Sequence, residues 1–142
     1  MSTATQLMDR PPVFLRRALL LDALASGGTA LAMIALANQV DGLLGLPAAL
    51  LRGAGLVLVP YVAFVVYAAT QPAIPRPAVW TIVTANVLWA AASALLLMSA
   101  WVAPTALGYA FVIFQAAVVA LLGELQYMGL KYMGLQRPAA TA

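Results

Sequence analysis

The stretch PAVWTIVTANVLWAAASALLLMSAWVAPTALGYAFVIFQAAVVALLG, residues 77–123, contains no charged side chain. As one straight helix it would be about 70 Å long, more than twice the roughly 30 Å of a bilayer core. Trp101 to Pro104 divides it, so the run reads as two spans joined by a tight turn. Working outward, two more apolar stretches precede this hairpin. The four expected spans are 18–37, 53–70, 78–100 and 105–123, each close to the 20 residues that a helix needs to cross lipid.

Composition agrees with that reading. The chain is 65% hydrophobic and 8% charged, where water-soluble domains carry about 25% charged residues. The spacing predicts an all-α, up-down four-helix transmembrane bundle. A polar tail over 1–15, a membrane domain over 16–127 and a second tail over 128–142 complete the expected organisation, with no space for a soluble domain. A cleavable secretory leader is a competing reading of the first stretch, since Ala23-Leu24-Ala25 resembles a cleavage site. Asp22 interrupts the would-be apolar region, and the stretch continues to Ala37, which favours a retained span.

Orientation follows from charge. Arg10, Arg16, Arg17, Arg76, Lys131 and Arg137 all fall on one side of four spans, whereas the other side holds Asp41 and, near a helix end, Arg52. Basic residues in short loops mark the cytoplasmic face, so both termini are expected in the cytoplasm. This distribution also explains the basic isoelectric point without nucleic acid as a partner. The expected partners are the lipid bilayer and other membrane chains, or further copies of the same chain.

The chain has no cysteine and no histidine. That removes thiol chemistry, the usual haem ligand and the usual general base at neutral pH. No Ser-His-Asp set, metal-ligand spacing or glycine-rich phosphate loop is present. No catalytic residue, metal or cofactor is therefore expected.

The remaining candidates are polar residues inside or beside the spans: Asp22, Ser26, Tyr67, Asn86, Gln115 and Glu124. Asp22 heads a helical stripe with Ser26, Thr29 and Met33. An ionised carboxylate in hydrocarbon is costly, so it should face the bundle or reach the interface. The structural alternative pairs it with Arg16 or Arg17. Glu124 is expected at a depth similar to Asp22, about 5–6 Å inside the cytoplasmic edge; its alternatives are water or Lys131. Asn86 and Gln115 read as amides that bond across helices. Tyr67, with Thr70, ends the second span where it could join the Asp22 layer. Pro60 removes one backbone bond of that span and is expected to kink it.

Arg16-Arg17, the segment from Leu21-Asp22-Ala23 to Ser26-Gly27, Leu44-Gly45-Leu46-Pro47 and Ala85-Asn86-Val87-Leu88-Trp89 resemble small bacterial four-span membrane proteins of unassigned role. The likeness covers about residues 16–126. It implies a bacterial inner-membrane location and no particular activity. The leading expectation is a non-catalytic subunit or helical scaffold of a membrane complex. The alternative is a small proton- or cation-coupled transporter that acts as an oligomer through Asp22 and Glu124. In size and span number the chain is similar to the small multidrug transporters, which keep an essential acid in their first span. A membrane enzyme acting on a quinone or lipid is a third class, with nothing to set a nucleophile beside a base.

Overall fold

In the computed structural model, residues 13–135 are described, and among them the chain is all helical. Five helices follow in order: α1 (Val13–Ala35), α2 (Ala37–Leu44), α3 (Ala48–Thr70), α4 (Arg76–Met98) and α5 (Ala106–Leu135). Four of them are long and apolar enough to cross a membrane.

The helix limits differ from the expected spans in ways that matter for the site. Val13, Phe14 and Leu15 extend the apolar run, and Leu15 is fully buried, so α1 starts five residues earlier than expected. At the other end nothing breaks the helix after Gly123. α5 continues to Leu135 and buries Gln126 and Leu130. The expected tails otherwise lie outside the described residues.

The segment between the first two expected spans, which the apolar pattern left outside any helix, forms α2. Its buried residues Ala37 and Leu44 are two turns apart and share one face. The helix ends at Gly45, whose φ of 65° is left-handed and whose N–H donates to the Asp41 carbonyl at 2.8 Å. The chain then locks onto the last hairpin. Thr105 donates its N–H to the Leu44 carbonyl at 3.0 Å and its hydroxyl to the Leu43 carbonyl at 2.5 Å. The same hydroxyl accepts from the Gly108 N–H at 3.1 Å, as an N-cap does at the third helical residue. α5 approaches so closely here that a Cβ on Gly108 would run into the Leu44 carbonyl.

α3 runs unbroken through Pro60. α4 accepts Pro77 within its first turn, where a missing N–H has no helical partner to lose.

Contacts fix the relative directions. Arg16 reaches Ala69 and Gln71, Asp22 reaches Tyr61, and Gly55 packs on Ala30, so α1 and α3 are antiparallel. Trp80 packs edge-on to Tyr127 with centroids 5.7 Å apart, while Trp89 and Ser93 bond Gln115, so α4 and α5 are antiparallel as well. α1 lies between α3 and α5, and the seam between α3 and α4 is sparsely packed.

The surface inverts the soluble pattern. Leu24, Leu31 and Phe114 are more than two-thirds exposed, whereas Asp22 and Gln126 are fully buried. Apolar outside and polar inside is the arrangement that hydrocarbon selects. Two apolar cores sit at the ends of the bundle. One is built on Leu15, Leu19, Val65, Val79, Ile82 and Leu130, the other on Ala37, Leu44, Leu46, Leu51 and Val112.

Candidate functional site: a polar layer around Asp22

Asp22 lies nine residues in from the start of α1, Tyr61 nine from the end of α3, Asn86 ten from the start of α4, and Gln126 nine from the end of α5. At 1.5 Å per residue each sits about 14 Å along its own helix from the same end of the bundle. Four helices therefore deliver one polar side chain each to a common layer, close to the middle of the 23-residue helices.

The layer is hydrogen-bonded throughout. Asp22 Oδ1 receives the Ser26 hydroxyl at 2.9 Å, one turn along α1. Asp22 Oδ2 contacts Tyr61 Oη at 2.7 Å, Asn86 Nδ2 at 3.0 Å and Gln126 Nε2 at 2.7 Å. Asn86 Nδ2 also donates to Gln126 Oε1 at 3.0 Å, and Tyr61 Oη lies 2.9 Å from Asn86 Oδ1. Among the described residues no buried side-chain nitrogen or oxygen lacks a partner.

The hydrogen-bond partners of Asp22 are all neutral. Arg16 turns away from it and donates to the Ala69 carbonyl and, at 2.8 Å, to the Gln71 carbonyl, so its guanidinium closes the end of α3. Arg17 is exposed. A charged side chain at the centre of a span costs about 2.5–3.5 kcal/mol on insertion scales, and here hydrogen bonds alone must offset that cost.

The six residues singled out from sequence take different places. Asp22, Ser26 and Asn86 meet in this layer. Gln115 belongs to a second cluster nearer the other end. It accepts the Trp89 indole N–H at 2.7 Å, and its amide donates to Ser93 Oγ at 2.9 Å, which ties α5 to α4. Tyr67 and Glu124 are exposed and outside the layer. The layer instead uses Tyr61 and Gln126, neither of which stood out in the sequence. Six residues turn a helix by about 600°, so Tyr61 and Tyr67 face different ways; two residues turn it by about 200°, so Gln126 points nearly opposite Glu124. The depth of Asp22 is also greater than the expected 5–6 Å, because α1 begins at Val13. On the opposite end, Arg52 bonds Asn38 Oδ1 at 3.1 Å.

A small cavity of about 110 Å³ borders the layer, lined by Ser26, Leu58, Tyr61, Asn86, Trp89 and Val119. A larger one of about 380 Å³ lies between α1 and α5 and shares Ser26, Leu58, Trp89 and Val119 with it. Both are mainly apolar. Among the described residues no group of three or more acidic, cysteine or histidine side chains could hold a metal.

Four apolar helices and a buried polar layer define a multi-pass integral membrane protein. No family model, curated protein or solved structure matches the chain.

Proposed function

We propose that this protein is a non-catalytic membrane component, a small subunit or helical scaffold that associates with other membrane chains or with itself. One observation carries this reading: the polar groups of the Asp22 layer are spent on one another across four helices. Such a layer fixes helix register and leaves no unpaired group to grip a polar substrate. The polytopic chain belongs in a bacterial inner membrane, its four long helices alternating in direction and both termini in the cytoplasm. Arg16, Arg17, Arg76 and Lys131 at one end of the bundle support that orientation. Mild-detergent extraction from the native membrane, followed by native mass spectrometry, tests the role. A co-purifying chain or a stable homo-oligomer is the expected result, and a lone monomer would overturn it.

A second reading, a proton- or cation-coupled transporter, is favoured by a different observation. Asp22 lies near mid-helix with neutral partners and beside a cavity. An acid at that depth is where a transported or coupling cation would be held. Unchanged proton-coupled uptake by an Asp22→Asn variant in proteoliposomes would remove this reading, as Glu124 is exposed and makes no hydrogen bond with the layer.

A further inference from the structure

The α4–α5 pair carries a second polar feature, on its outer surface at the basic end. Trp80 and Tyr127 meet edge-on there with ring centroids 5.7 Å apart, and each is 45% exposed. The contact brings these two residues to one depth on antiparallel helices. Arg76 comes four residues before Trp80 on α4, and Lys131 comes four residues after Tyr127 on α5. Four residues turn a helix by about 400° and advance it by about 6 Å. Each cation therefore stands on nearly the same face as its aromatic, one turn nearer the helix end. Because the helices run in opposite directions, both steps lead to the same end of the bundle. Arg76 and Lys131 share one level on one seam, the first half-buried and the second exposed.

No acid answers them at that level among the described residues, whose acids are Asp22, Asp41 and Glu124. Asp22 is buried within its own layer, and Asp41 stands at the opposite end on α2. Glu124 shares the α5 face but lies seven residues, about 10 Å, further in, where it is not a helical neighbour of Lys131. Arg16, at the same end of the bundle, is engaged with carbonyls of α3 and its end.

We propose that this seam binds the phosphate of an anionic phospholipid. The planar fork of Arg76 takes two phosphate oxygens, and the Lys131 ammonium takes a third as a point charge. Trp and Tyr are the residues that membranes place at headgroup level, and the half-exposed rings one turn further in carry the glycerol and first methylenes. That aromatic floor selects a lipid over a free phosphate ion, and basic residues between two spans are what anionic headgroups recognise. The bound lipid joins the start of α4 to the end of α5, the open ends of a hairpin closed at its other end by residues 99–105. The site belongs to a single bundle and stands under either functional reading.

Native mass spectrometry of protein released from bilayers of equal phosphatidylglycerol and phosphatidylcholine tests the proposal. One cation at the surface gives about a fivefold preference for an anionic lipid. The wild type is expected to retain phosphatidylglycerol over phosphatidylcholine. Arg76→Gln and Lys131→Gln should each lower the bound ratio about fivefold, and Arg76→Lys should lower it less. Arg17→Gln is the control, because it removes one charge from an exposed position on α1, about 200° round from the Leu15 that packs on Gly129 of α5. It should leave the ratio unchanged, and excess inorganic phosphate should not displace the lipid. A wild type without preference, which needs no variant to fold, would overturn the proposal. So would a loss on Arg17→Gln equal to that on Arg76→Gln, or displacement by inorganic phosphate.

Discussion

The Gln126 amide donates to Asp22 Oδ2 at 2.7 Å, across 104 positions of sequence, and so ties the last helix to the first. This bond is one of three that converge on a single oxygen from α3, α4 and α5. Removing a donor from a buried network leaves its partner incompletely satisfied, which typically costs about 1–3 kcal/mol. Gln126→Leu should therefore destabilise the bundle by about 1–2 kcal/mol, nearer the lower figure because partners in membranes are readily replaced. Reversible unfolding in mixed micelles measures it.

Glu124 provides the contrast. It is exposed and makes no hydrogen bond with the Asp22 layer. Glu124→Gln should leave the unfolding midpoint unchanged in the same assay. A loss matching that of Gln126→Leu would mean that the acid, rather than the amide, faces inward.

Arg16 holds two carbonyls at the end of α3 with its planar fork. Lysine offers a point charge without that geometry. Arg16→Lys should therefore weaken the end of α3 while sparing the Asp22 layer. Hydrogen exchange is expected to rise at residues 67–71 and to stay unchanged around Asn86.

At the opposite end, Gly108 touches the Leu44 carbonyl so closely that even a methyl group has no room. Gly108→Ala should cost about 1–3 kcal/mol by overpacking and should separate α5 from α2. A lowered thermal midpoint, with Thr105 losing its protection from exchange, checks this.

Because the chain has no cysteine, single cysteines report topology cleanly. Ala73→Cys, in the exposed link between α3 and α4, should react with a membrane-impermeant thiol reagent only after the cells are opened. Gly42→Cys, exposed on α2, should react from outside intact cells. The reverse pattern would invert the proposed orientation.

Much of the fold was legible because hydrocarbon imposes a coarse rule. A run of apolar residues long enough to span a bilayer must form a helix, since no water is present to satisfy its backbone. Prolines and glycines then marked most of the connections. Less legible was where helices end. Val13–Arg17 and Leu125–Leu135 are compatible with helix or tail, and burial of Leu15, Gln126 and Leu130 against other helices settles the matter. α2 was missed for a related reason. Its Asp41-Gly42 pair has the composition of a turn, yet Ala37 and Leu44 find an apolar core to bury in.

The sequence by itself determined that this is an all-helical membrane protein with six of its seven basic residues assigned to one side, and it singled out Asp22. Hydropathy and charge are properties of residues summed along a chain, so they survive without coordinates. Only the tertiary structure decided what surrounds Asp22. Tyr61 rather than Tyr67, and Gln126 rather than Glu124, face inward because each helix presents one side to its neighbours. Which side that is depends on packing contacts such as Gly55 on Ala30 and Gly129 on Leu15, between residues tens of positions apart in the chain. An angular phase of this kind is set by how helices fit together, and an apolar span with no polar stripe to favour one face leaves it open.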